Sequence, residues 1–134
     1  MGIPIKGYCP KGRLAEDGII DIKYPLTEIH SVSYSKRTRR NVAYADAVLI
    51  VVKAKPDPGT ILTIQLAEKL KKPLKILELN SNNNASNELL RFLERPFCKI
   101  LIAGPRESNE AGIYNQAFPL LHQCFTALTK RSRP

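Results

Sequence analysis

The sequence predicts an α/β fold, a Rossmann-like three-layer sandwich with a mainly parallel sheet, and three features predict it. Strand-like apolar runs alternate with helical patterns from Tyr34 onward. The run Ala47–Val52 is continuously aliphatic, as expected of a strand covered on both faces. Each apolar run passes into a segment rich in Gly, Pro, Asn or Asp before the next helix, the rhythm of βα units.

The elements follow in order. Ile3 to Tyr8 reads as a short strand, and Cys9 to Ser33 as a long irregular stretch with Gly, Pro and isolated charges. Tyr34 to Ala45 reads as a helix, with Ser33 or Ser35 as N-cap and Thr38, Val42 and Ala45 on its inner face. After the strand Ala47–Val52, the residues Pro56-Asp57-Pro58-Gly59 require a loop. A helix is expected from Thr60 to Lys72, with Leu62, Leu66 and Leu70 beside Thr63 and Ala67, stopped by Pro73. Leu74 to Leu79 reads as a second buried strand, and Asn80 to Asn84 as a turn. A short helix, Asn87 to Arg95, is expected with Asn84 or Ser86 as cap and Pro96 as stop. Cys98 to Ala103 reads as a third strand. Gly112 to Thr129 reads as an amphipathic helix with Ile113, Ala117, Leu120, Leu121, Cys124 and Leu128 on one side, kinked at Pro119.

At 134 residues the chain has the length of one domain. A single domain over residues 1–134 is expected, with 130–134 a disordered basic tail. The longest strongly apolar run is far too short to cross a bilayer, so no membrane association is expected. The N-terminus lacks an apolar stretch followed by a small-residue cleavage site, which points to a cytoplasmic setting. Cys9, Cys98 and Cys124 are widely spaced and odd in number, arguing against a disulfide framework and against a zinc site. The net charge of +9 favours an anionic partner, and the strand-end loops point to a small anionic ligand. Nucleic acid is disfavoured, because the basic clusters around Arg37, Arg39 and Arg40, Lys69 to Lys72 and Lys130 to Arg133 are dispersed and carry no aromatic stacking series.

In open α/β sheets ligands lie outside the carboxyl ends of the strands, which selects three segments. The first, Cys9 to Gly18, offers Lys11 and Arg13 around the flexible Gly12. In the second, Gly59 and Thr60 stand where free backbone N–H groups and a positive helix end make an anion seat. The third, Ala103-Gly104-Pro105-Arg106-Glu107-Ser108, again runs from a strand end toward a helix. No metal-ligand set, Gly-x-Ser-x-Gly elbow or other catalytic constellation accompanies them.

These same residues carry a family resemblance. Gly7-Tyr8-Cys9-Pro10-Lys11-Gly12-Arg13 with Ala15-Glu16-Asp17-Gly18, Tyr24-Pro25-Leu26, Arg37-Thr38-Arg39, Gly59-Thr60, and Ala103 to Ser108 with Gly112-Ile113-Tyr114 keep the order and approximate spacing of the molybdenum carrier family, the molybdenum cofactor carrier-like proteins. The chain resembles that family over nearly its whole length. The resemblance implies a Rossmann-like fold related to the lysine-decarboxylase-like and nucleotide-sensing groups. It also implies binding of molybdenum cofactor, a pterin (molybdopterin) with a terminal phosphate, and oligomeric assembly. Members usually open with a strand and a Gly-Gly-Gln-Thr-Gly-type loop, whereas this chain starts where the family's second strand would stand, so the first strand-helix unit is expected to be missing. An uncovered sheet edge left in this way favours a homo-oligomer. The chain also has Asp57-Pro58-Gly59 where the family tends to have Gly-Gly before Thr60, which adds a carboxylate.

The expected function is therefore a binding or carrier protein for molybdenum cofactor or a related phosphorylated pterin or nucleotide. Lys11, Gly12, Arg13, Gly59, Thr60, Gly104, Pro105, Arg106, Glu107 and Ser108 are expected around the ligand. The alternative is a nucleotide phosphoribohydrolase of the lysine-decarboxylase-like type, with Glu16 or Glu107 as acid or base.

Overall fold

A computed structural model describes residues 8–9, 14–15, 18–19, 26–28, 34–80 and 83–131. Its centre is a three-stranded parallel sheet of β5 (Ala47–Val52), β6 (Leu74–Glu78) and β7 (Ile100–Ala103), in the order β6-β5-β7. Val48 pairs with Leu74 on one side of β5 and with Leu101 on the other. Every residue of β5 is buried, and alternation along the strand explains why all six are apolar. Ala47, Leu49 and Val51 enter one core, against Leu89 and Phe92 of α3 (Ala85–Leu93) and Ile113 and Cys124 of α4 (Ile113–Arg131). Val48, Ile50 and Val52 enter the other, against Val42 of α1 (Tyr34–Tyr44) and Ala67 of α2 (Pro58–Lys69). A strand feeding two cores has no polar face, which is why the run read as continuous. The two helix pairs on opposite faces make the expected three layers.

Several boundaries differ from the sequence reading for identifiable reasons. Helix α2 starts earlier because Asp57 is its N-cap and Pro58 its first residue. It stops at Lys69 rather than Lys72 because Lys71 adopts a left-handed conformation, φ 55°. The Lys71 N–H then donates to the Glu68 carbonyl and the Lys72 N–H to the Ala67 carbonyl, a Schellman motif without the usual glycine. Its most buried face is Thr60, Thr63 and Ala67, while Leu70 is exposed. Strand β7 begins at Ile100, not Cys98, because the Asp46 carboxylate accepts the N–H groups of Cys98 and Lys99. Helix α3 is shifted two residues earlier than expected, with Asn84 at the cap position but no side-chain capping bond. Helix α4 runs through Pro119 and continues to Arg131, so Lys130 and Arg131 belong to the helix rather than to a tail. Residues 132–134 lie outside the described residues.

Toward the N-terminus, the stretch read as irregular contains short strands. β1 (Tyr8–Cys9) pairs in parallel with β4 (Thr27–Glu28), and β2 (Leu14–Ala15) pairs antiparallel with β3 (Gly18–Ile19). Within the expected strand Ile3 to Tyr8, residues 3–7 lie outside the described residues. No described helix is long and apolar enough to cross a membrane.

Candidate functional site

The strand order places the site. The chain leaves β5, passes through α2 and returns on one side as β6, whereas β7 lies on the other side of β5. The loops after β5 and β7 therefore diverge from neighbouring strands, which is the topological switch point where open α/β sheets leave a crevice.

Asp57 joins the two walls of that crevice. Its Oδ1 accepts the Thr60 N–H at 2.9 Å and the Thr60 hydroxyl at 2.6 Å, closing the first turn of α2. Its Oδ2 accepts the Asn109 amide at 2.8 Å and the Arg106 N–H at 3.2 Å from the loop after β7. Partial burial pushes the carboxyl pKa up, but the hydrogen bonds from Thr60, Asn109 and Arg106 outweigh it and hold Asp57 at about 2. The group is a fixed anion at neutral pH.

Two further contacts cross the same gap. The Lys53 ammonium, on the first residue after β5, donates to the Ala111 carbonyl at 2.9 Å, and the Ala54 N–H donates to Glu110 Oε1 at 3.0 Å. Gly104 brings the walls together, since a Cβ there would collide with the Val51 carbonyl oxygen. Gly112, at φ 86°, turns the chain into α4. Both Glu107 carboxylate oxygens accept backbone N–H groups at the start of that helix, from Gly112 and Tyr114.

The expected site residues thus occupy different positions. Gly59 is exposed in the first turn of α2, and the amide and hydroxyl hydrogens of Thr60 are directed to Asp57. Gly104, Pro105, Arg106, Glu107 and Ser108 form the opposite wall, with Pro105 buried and the Arg106 side chain exposed. Lys11, Gly12 and Arg13 lie outside the described residues. The helix end that sequence alone marks as an anion seat is capped by the chain's own Asp57, and the start of α4 by Glu107. Positive charge in the crevice comes instead from Lys53 and Arg106. Lys53 is not singled out by any motif, although its place directly after the most buried strand is a signal in the sequence. Asn109 and Glu110, which brace the loops from 52 and 56 residues away, had no such signal. Among the described residues, no group of three or more His, Cys, Asp or Glu side chains is placed to hold a metal ion.

Fold and site together define a class: an α/β domain whose loops after two neighbouring parallel strands, β5 and β7, are tied together at the strands' carboxyl ends. Residues 1–125 match the model of the circularly permutated YpsA SLOG family, and the chain belongs to that family. It is also similar to a solved structure, a putative molybdenum carrier protein from Syntrophus aciditrophicus SB. The two share 34% sequence identity over 90% of this chain and 78% of that one, with a TM-score of 0.81. No curated protein matches. The α/β fold class and the family resemblance read from the sequence are both borne out.

Proposed function

We propose that this protein is a binding or carrier protein for a small phosphorylated ligand, molybdenum cofactor or a related pterin phosphate or nucleotide, held at the carboxyl edge of the sheet. The observation that carries the reading is the switch-point crevice, braced across its gap by Asp57, Lys53 and Glu110 and flanked by the cations of Lys53 and Arg106. A site whose walls are already tied together loses little freedom on binding, which favours affinity. The ammonium of Lys53 and the planar guanidinium of Arg106 are donor groups of the kind that pair with an anionic ligand. The similarity to a molybdenum carrier protein supports the same class of ligand.

Lys11, Gly12, Arg13, Gly59, Thr60, Gly104, Pro105, Arg106, Glu107 and Ser108 remain the proposed ligand surroundings, to which the structure leads us to add Lys53. Phosphoribohydrolysis by Glu107 is less well supported, because both of its oxygens cap the start of α4. A homo-oligomeric, cytoplasmic carrier is the form proposed for the cell.

The test is calorimetric titration of the purified chain with a pterin monophosphate and with guanosine 5′-monophosphate, together with assay of the purified protein for a fluorescent oxidised pterin. Binding is expected, weakened about tenfold or more in Lys53→Ala and in Arg106→Ala, since a charge-assisted hydrogen bond is worth about 1.5–3 kcal/mol. Absence of both heat and co-purified pterin would overturn the proposal.

A further inference from the structure

Beyond the end of β6 lies an open cleft of about 500 Å3. Its walls are Leu79 and Asn80 at the strand exit, Asn83 and Ser86 at the approach to α3, and Gln116 and Leu120 on α4. Among the described residues, no Lys, Arg, Asp or Glu lines it, although a quarter of the chain is charged. Its polar groups are carboxamides and a hydroxyl. Among the described residues, no hydrogen bond occupies the side-chain amides of Asn80, Asn83 or Gln116.

A carboxamide presents two donors and an acceptor in one plane. That arrangement matches the edge of a neutral heterocycle in which a donor and an acceptor stand side by side, as Asn and Gln pair bidentately with the N6/N7 edge of adenine. The aliphatic side chains of Leu79 and Leu120 offer the apolar surfaces that the ring's faces need. Among the described residues, the lining of this cleft offers a phosphate no cation.

Its position relative to the crevice gives the inference its form. The Leu79 N–H donates to the Val52 carbonyl at 2.9 Å and the Asn80 N–H to the Lys53 carbonyl at 3.0 Å, so the exits of β6 and β5 stay zipped together as far as Lys53. Asn80, on the wall of the cleft, therefore lies one strand spacing, about 4.8 Å, from the backbone that carries the Lys53 ammonium. Gln116 sits in the first turn of α4, whose preceding loop forms the crevice wall.

We infer that this amide-lined cleft is the ring subsite of the ligand, taking a planar heterocycle with an amide-like edge, a purine or a pterin. This rests on the proposed reading of the crevice as the seat of the phosphate. Asn80, Asn83 and Gln116 pair with the ring edge, and Lys53 lies toward the phosphate. Neutral amides on one side and a cation on the other select a ligand that is uncharged at one end and anionic at the other.

The experiment compares guanosine 5′-monophosphate, guanosine, neopterin and ribose 5-phosphate by calorimetry. They are titrated into the full chain, into Gln116→Leu and Asn83→Leu, and into Lys53→Ala. Guanosine 5′-monophosphate is expected to bind at least about tenfold more tightly than ribose 5-phosphate, and each cleft variant to remove most of that ratio while leaving ribose 5-phosphate unchanged. Gln116 and Asn83 are exposed, so these substitutions are expected to preserve folding, checked by circular dichroism. Should guanosine or neopterin bind with dependence on Gln116 while the phosphate adds nothing, the ring subsite stands and the crevice reading falls. Equal affinity for the nucleotide and ribose 5-phosphate, a ratio untouched by both cleft variants, or binding of none of the four overturns the ring subsite. The preference between guanosine and neopterin tells purine from pterin.

Discussion

Replacing Asp57 by Ala removes one carboxylate that accepts from Thr60 twice and from Arg106 and Asn109 once each. Loss of the helix cap costs about 1 kcal/mol. The two bonds across the crevice, each to an ionised acceptor but at a partly exposed site, add about 1–2 kcal/mol together. The expected destabilisation is about 2–3 kcal/mol, a fall in Tm of about 10 °C for a chain of this length. Acid should remove much of the difference. Burial pushes Asp57 up, but its hydrogen bonds lower it from 3.8 to about 2. Between those values the unfolded chain binds more protons than the folded one. The stabilisation is therefore complete above about pH 4 and is lost as pH falls toward 2. The full shift corresponds to about 2–3 kcal/mol, and solvent screening reduces it to about 1–2 kcal/mol. Thermal melts of wild type and Asp57→Ala by circular dichroism, from pH 7 to pH 2, measure both quantities. A Tm gap near zero at pH 7, or one that stays constant down to pH 2, refutes the reasoning. Asp57→Asn keeps a capping acceptor and should recover part of the loss while showing no such acid dependence.

Other perturbations follow from single observations. Gly104→Ala drives a Cβ into the Val51 backbone carbonyl, which cannot yield as a side chain would, so about 2–3 kcal/mol of stability should be lost in a urea melt. Leu49→Ala empties a fully buried site at the centre of the sheet and should cost about 2–5 kcal/mol by the same measurement. Glu107→Ala uncaps α4 and should cost about 0.5–2 kcal/mol, with faster hydrogen exchange at the Gly112 and Tyr114 amides as the site-specific readout. Burial pushes the Cys124 thiol up in pKa, opposed by its hydrogen bond to the Ser86 carbonyl, whereas Cys98 is exposed. In native protein at pH 8, iodoacetamide should modify Cys98 well before Cys124, followed by mass spectrometry of the peptides, and equal rates would contradict the burial argument.

Much of the site was legible as location rather than as contacts. Gly104 and Arg106 were marked because they follow a buried strand, and the structure gives them a shared crevice with the loop after β5. Thr60 was marked as a donor to an outside anion, yet its donors serve Asp57, three residues earlier. The extra carboxylate at Asp57 was visible in the sequence. What was not visible is its hold on Arg106, 49 residues away, because a side chain's long-range partner depends on which strands are neighbours. The amide cleft was hidden for the same reason. Asn80 to Asn84 reads locally as a polar turn, and only the packing of α4 beside β6 and α3 brings Gln116 to it.

The sequence by itself determined the alternation of strands and helices, the double-sided burial of β5 and the family. Those properties are written in the spacing of apolar residues, and burial is a local demand repeated along the chain. Tertiary structure alone decided the strand order β6-β5-β7, and with it which loops meet, which distant donors Asp57 accepts from, and which amides share a cleft. Contacts between distant segments arise only when both are docked on the same sheet, so no local pattern carries them.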